Sequence, residues 1–247
     1  MAQSEHRKKH NRMAFVGTLA GGLAHEVRNP LSSMKVNLQL LRDDLSKPVP
    51  EHSARLVRRV DLLEQAVRRL EEIVNDFLNY ARGFDLARVP CDVNAVVEEV
   101  VLFVEPEAKH HKVSLRTAFE RDLPQVALDK KYLQQALLNL LLNARQAIEL
   151  GGKGGEIFVT TRSAKGQVVI EVTDTGPGIP ADVLPRIFDV YFSTKKGGTG
   201  LGLPMAKRIV EEHGGALTVH TEEGKGTSFR IALPLLKRDD ARRDSAD

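Results

Sequence analysis

Apolar residues at Leu19, Leu23, Val27, Leu31, Met34, Leu38, Leu41 and Leu45 recur at steps of four and three. This spacing predicts a long amphipathic helix from about Met13. Pro30 falls inside it and predicts a bend, because it lacks an N–H and crowds the carbonyl four residues back. SKPVPEH, residues 46–52, breaks the pattern, after which Leu56, Val60, Leu63, Val67, Leu70, Val74, Phe77 and Ala81 form a heptad seam. Two long helices joined by a short turn make an antiparallel hairpin. A hairpin covers only one side of each stripe, so dimerisation into a four-helix bundle is expected, with packing on the chain's own second domain as the alternative.

Beyond Gly83–Pro90, which reads as a linker, heptads give way to mixed helix and strand. Helices are predicted over Val93 to Lys109, over Asp129 to Leu150 with Asp129 as cap and Gly151-Gly152 as stop, and over Leu201 to His213. A shorter one is predicted around Leu184 to Phe188. Strands are predicted at Val113–Phe119, Val126–Leu128, Glu156–Arg162, Val168–Asp174, Ala216–Thr221 and Thr227–Leu233. The expected fold is therefore α+β and multidomain: the hairpin, then a two-layer sandwich of helices on a mainly antiparallel sheet. The organisation read from the chain is a basic lead or helix stub at 1–12, the hairpin at 13–86, the second domain at 87–236 and a charged, disordered tail at 237–247.

The 247 residues are 42% hydrophobic and 28% charged, and 36 basic against 33 acidic residues leave a net charge of +3. Such a balance gives no uniform basic field, so no nucleic-acid partner is expected. Cys91 is alone and no Cys/His cluster has zinc-ligand spacing, which points to a reducing, cytoplasmic setting. No apolar run approaches the roughly 18 residues that span a bilayer. The chain itself is expected to make no membrane contact, and a longer, membrane-anchored parent is left open.

Candidate chemistry begins at LAGGLAHEVRNPL, residues 19–31. His25 lies about 200° around the helix axis from Leu23, away from the apolar stripe. Asn29 shares its face four residues on, and Glu26 is adjacent. In the helix from Asp129, the amides Gln135, Asn139 and Asn143 stack on one side. They are either local caps or neutral oxygen ligands for a hard cation such as Mg²⁺ whose charge is met by phosphates. DTGPGIP, 174–180, follows a strand, and Asp174 can accept a hydrogen bond from an exocyclic amine; Gly176 and Gly178 permit a sharp turn. GGTGLGLP puts Gly198, Gly200 and Gly202, with Thr199 and Leu201 between them, before a helix N-terminus that favours phosphate. It matches neither the dinucleotide nor the Walker pattern. IFDVYFSTKKGG between them reads as a lid or a solvated loop, with Lys195 and Lys196 placed to meet a phosphate.

In this order and spacing the segments resemble the boxes of bacterial two-component sensor histidine kinases. HEVRNPL resembles the phosphoacceptor box, NLLLNA (139–144) the N box, DTGPG and GTGLGL the two glycine boxes, IFDVYFSTK the F box and GKGTSF (224–229) the final Gly-Thr element. The resemblance implies a dimeric phosphotransfer hairpin followed by an ATP-binding domain of the type shared with Hsp90 and gyrase B. It implies ATP and Mg²⁺ as cofactors and a response regulator receiver domain as partner. It makes His25 the phosphorylated residue and Glu26 the carboxylate that orients or deprotonates it. Asn29 corresponds to the position that aids regulator dephosphorylation. Asn143, supported by Asn139, corresponds to the magnesium ligand, Asp174 to the adenine reader, and Thr227 to its helper through water. Many relatives carry a lysine three positions after Asn143. Here Gln146 stands there beside Arg145, so the cation that meets the phosphates is left open among Arg145, Lys195 and Lys196.

Overall fold

The heptad-patterned third of the chain forms two helices. A computed structural model describes residues 23, 27–45, 53–82, 84–195 and 198–235. His25, Glu26, Lys196, the lead 1–12 and the tail 237–247 lie outside the described residues. Helix α1, residues 27–45, continues without interruption through Pro30. The carbonyl that Pro30 would crowd belongs to Glu26, so the expected bend also lies outside the described residues. Helix α2 spans Ser53–Arg82. Arg59 Nε donates to Asp44 Oδ2 at 2.6 Å, which brings the start of α2 beside the end of α1, as an antiparallel hairpin requires.

The side chains buried on α2 lie one position before the Val60-Val67-Val74 half of the seam read from the sequence. Arg59, Ala66 and Ile73 repeat at seven-residue intervals, and Ala66 and Ile73 are buried. One position on, Val60, Val67 and Val74 repeat at the same interval and are 38 to 46% exposed. On α1 the row Leu31, Leu38, Leu45 is 48 to 67% exposed. The apolar stripe is wider than one antiparallel neighbour can cover, so a single hairpin leaves two heptad rows in water.

The chain divides into two compact units: Ser193–Leu201 groups with the first unit, and the α+β unit takes Phe84–Phe192 and resumes at Gly202. Its elements are β1 (Val89–Cys91), α3 (Val93–His110), β2 (Val113–Phe119), β3 (Val126–Leu128), α4 (Lys130–Gly151), β4 (Gly155–Ala164), β5 (Gln167–Asp174), a 3-10 turn (Leu184–Arg186), α5 (Gly202–Glu212), β6 (Ala216–Glu222) and β7 (Gly226–Pro234). A five-stranded sheet runs in the order β2-β4-β5-β7-β6, and β1 pairs with β3 in a small ribbon of its own. Every pairing in the large sheet is antiparallel except β2 with β4, which is parallel. A parallel pair needs a long crossover, and the stretch carrying β3 and α4 supplies it. Val168, Val169, Ile170 and Val172 of β5 and Phe229, Ile231 and Leu233 of β7 fill the core together with Leu133, Leu137, Leu140 and Leu141 of α4. This two-layer arrangement places the end of β5 beside the sequence turn at 174–178, where the candidate site begins.

β1 is the element the sequence pattern did not predict. Three residues with a central proline carry no alternation of their own. Val89, Pro90 and Cys91 become a strand only because Leu128, Ala127 and Val126 lie alongside, and proline is tolerated in such a two-stranded edge.

Candidate nucleotide site

Helix α4 starts where Asp129 caps it, its carboxylate accepting from Lys131 N at 3.1 Å and Tyr132 N at 3.4 Å. Gly152 stops it in the left-handed conformation. Between these ends Leu133, Ala136, Leu137, Leu140, Leu141, Ala144 and Ile148 are buried, while Gln135, Asn139 and Asn143 share a half-buried side. The Asn139 amide donates to Gly202 O at 3.1 Å, which ties α4 to the first residue of α5.

Arg145 is two positions past Asn143 and therefore points about 200° away around the helix. It pairs with Glu149 on its own helix and with Glu107 of α3 at 3.3 Å, and His111 Nδ1 lies 3.1 Å from the same Glu149 carboxylate. The guanidinium is thus committed to holding α3 against α4, and of the three cations left open by the sequence only Lys195 and Lys196 stay candidates for a phosphate.

At the end of β5, Asp174 is 2% exposed. Its Oδ1 accepts from Gly176 N at 2.8 Å, and across the sheet it is in register with Thr227 of β7, which is also buried. Thr221 lies 3.1 Å from Thr227 between hydroxyl oxygens. The Thr221 hydroxyl also accepts from Ile179 N at 2.9 Å and donates to Gly226 O at 3.0 Å. A buried carboxylate needs hydrogen-bond donors around it, and a ligand amine would supply one. The turn after Asp174 is stitched to β6 and β7 through Thr221, a residue that no sequence pattern marked.

Two glycines have no substitute here. At Gly178, φ is +74° and a Cβ would stand 2.4 Å from Glu222 O; at Gly226, φ is +128° and a Cβ would stand 2.0 Å from Asp174 O. Gly226 belongs to the Gly-Thr element, yet its reason is that β7 must start directly behind the Asp174 backbone. Gly226→Ala is therefore expected to displace Asp174 and cost about 2 kcal/mol or more. A thermal melt checks this: Gly226→Ala lowers the midpoint and weakens nucleotide protection, whereas Gly151→Ala, at a glycine with open space around it and no left-handed backbone, leaves nucleotide protection intact.

The segment from Ser193 to Leu201 forms its own turn. Gly198 N donates to Lys195 O at 3.0 Å, Lys195 N donates to the Ser193 hydroxyl at 3.2 Å, and Leu201 is buried. Gly200 takes φ +63° two residues before the start of α5. The first turn of α5 carries no acidic residue, so its free backbone N–H groups and helix dipole favour an anion.

Among the described residues no group of three or more His, Cys, Asp or Glu side chains is placed to hold a metal ion. Asn139 and Asn143 are neutral amides on one side of α4, a ligand type that suits Mg²⁺ where phosphates supply the negative charge. Away from the site, burial pushes the Cys91 thiol up from its ordinary pKa, with Lys130 opposing in part. Cys91 is thus a thiol rather than a nucleophilic thiolate at neutral pH.

The fold and the buried aspartate define an ATPase domain: residues 128–237 match the family of histidine kinase-, DNA gyrase B- and HSP90-like ATPases. Residues 16–83 match the His Kinase A (phospho-acceptor) domain, and the chain belongs to the two-component sensor histidine kinases. It is 38% identical over 235 residues to the sensor histidine kinase ZraS of Escherichia coli (strain K12), covering 95% of this chain and 49% of that protein. It is 32% identical over 241 residues to sporulation kinase E of Bacillus subtilis (strain 168), covering 97% of this chain and 31% of that protein. The crystal structure of histidine kinase ThkA in complex with response regulator protein TrrA superposes with a TM-score of 0.76 at 25% identity, covering 95% of this chain and 66% of that one. Full-length ShkA in complex with AMPPNP superposes with a TM-score of 0.64 at 28% identity, covering 86% and 45%. The chain spans about half the length of ZraS. Among the described residues no helix is long and apolar enough to cross a membrane.

Proposed function

We propose that the chain is a protein-histidine kinase that phosphorylates its own His25 from Mg-ATP and passes the phosphoryl group to an aspartate of a response regulator. The observation that carries the nucleotide half of this reading is Asp174, buried at the end of β5 opposite Thr227 with its turn tied down by Gly176 N. Its carboxylate receives the adenine amine, with Thr227 helping through water. The triphosphate is assigned to the N-terminus of α5 at Gly202, with Gly198, Thr199, Gly200, Leu201, Lys195 and Lys196 as the residues that would meet its phosphates. Asn143, with Asn139 beside it, would hold Mg²⁺, which supplies neutralisation of phosphate charge when bound.

His25 supplies the nucleophile. An imidazole is largely neutral near pH 7, and Glu26 holds the proton on one ring nitrogen so that the other has a free lone pair. That nitrogen forms a bond to the γ-phosphorus as the bond to the bridging oxygen breaks and ADP leaves. Phosphohistidine is then the donor to the receiver aspartate.

The two exposed heptad rows, Leu31-Leu38-Leu45 and Val60-Val67-Val74, support a homodimer in which a second hairpin covers both rows and completes a four-helix bundle. We place the chain in the cytosol, alone or as part of a longer, membrane-anchored sensor.

Asn29 is exposed on α1, four residues past His25. In the proposed cycle it positions water for dephosphorylating the regulator. Asn29→Ala is expected to slow decay of a phosphorylated receiver domain at least about tenfold, the scale of losing one positioning contact in a transition state, with autophosphorylation retained. Following the labelled receiver with and without the variant checks this, and parallel loss of both activities counts against the role.

A further inference from the structure

Helices α4 and α5 run antiparallel and are cross-tied at two points. One tie is Asn139 to Gly202 O at 3.1 Å, at the end where the phosphates are placed. The other is His213, 3% exposed, just past the end of α5. Its Nε2 accepts from Asp129 N at 3.0 Å, and its Nδ1 lies 2.7 Å from Ile209 O. A backbone N–H can only donate, so Nε2 is the acceptor and the proton of the neutral ring sits on Nδ1, donated to Ile209 O. The two ties are ten residues apart on α4, about 15 Å at the rise of an α-helix.

The segment that enters the α+β unit fastens to the second tie. Ala87 N donates to Asp129 Oδ2 at 3.0 Å, and the Arg88 guanidinium donates to Glu212 O, the last residue of α5. The Phe84 ring meets Tyr132 of α4 edge-on at 4.9 Å and lies under the Arg208 guanidinium of α5 at 5.2 Å. Side chains from the linker, α4 and α5 thus converge on the Asp129–His213 pair.

We propose that His213 is a positioning residue for the nucleotide phosphates: by fixing the far end of α5 against the cap of α4, it sets where the near end of α5 presents its free amides. The inference rests on the reading that the N-terminus of α5 receives phosphate. It assigns His213 no contact with ATP and no part in transferring a proton.

Two substitutions separate the bonds His213 makes. The Gln side chain carries its amide oxygen as far as Nε2 and keeps the Asp129 bond; the Asn side chain reaches only as far as Nδ1 and loses it. Titrations of the whole chain with Mg-ATP and with adenosine read the two halves of the site separately. His213→Asn is expected to weaken Mg-ATP about tenfold, the scale of one misplaced set of hydrogen bonds, while adenosine affinity stays unchanged and His213→Gln restores Mg-ATP binding. If His213→Asn fails to fold, Arg88→Ala frees Glu212 O without entering the core and shows the same split at smaller amplitude. Equal weakening of adenosine and Mg-ATP, or no change in either, overturns the inference while leaving the kinase reading intact. A wild-type chain that binds neither ligand overturns both.

Discussion

A chain carrying His25→Gln is expected to bind Mg-ATP as the unchanged chain does and to incorporate no phosphoryl group at all. The reason is chemical. Glutamine has the length to replace the ring but no nitrogen lone pair able to attack phosphorus, because its amide nitrogen is conjugated with the carbonyl. Nothing at the end of β5 is disturbed, since Asp174, Thr227 and Thr221 tie to one another and to the turn after β5. Calorimetry with a non-hydrolysable ATP analogue and labelling with radioactive ATP measure the two quantities separately. Undiminished labelling of the variant would remove His25 as acceptor.

Asp174→Asn is the second large effect, and here binding itself is lost. Gly176 N needs an acceptor at the Oδ1 position, so the oxygen of the new amide is held there and its NH₂ takes the place of the other carboxylate oxygen. That NH₂ then faces the adenine amine, donor against donor. Losing a charge-assisted hydrogen bond weakens nucleotide binding about 10- to 100-fold, and the unpaired donors add to this. The fold is retained, because the Gly176 bond survives and a buried charge is removed. Unchanged affinity in calorimetry would show that Asp174 does not read the base.

These outcomes depend on features that differ in how openly the chain displays them. The ends of α4 were legible because each is a local device: Asp129 accepts from amides two and three residues on, and Gly152 takes a conformation open to glycine. The strands β2 to β7 were legible because alternation and flanking turns are also local. Their pairing was not, since the parallel register of β2 with β4 is set by a crossover of more than thirty residues. Nor was β1, which exists only against β3.

Within the site, the residue types were legible and their directions were not. Arg145 follows Asn143 closely in sequence, yet two helical steps turn it to Glu107 and Glu149. The Gly-Thr element marked Gly226, but only the approach of its Cα to the Asp174 carbonyl explains why no side chain fits. His213 partners a backbone amide 84 positions away, and a backbone amide leaves no mark on a sequence. The apolar seam of α2 was visible, but Ala66 and Ile73, which are buried one position before its Val67 and Val74, were not part of it, because which side of a wide stripe is covered depends on the partner helix.

In the proposed reaction a nitrogen of His25 becomes bonded to the γ-phosphorus of ATP. The most direct test incubates the purified chain with Mg-ATP labelled at the γ position, determines the stability of the incorporated label to acid and to base, and locates it by peptide mass spectrometry. The expected label is lost in acid, survives base and resides on His25. Label that survives acid, or that resides on any other residue, contradicts the proposed reaction.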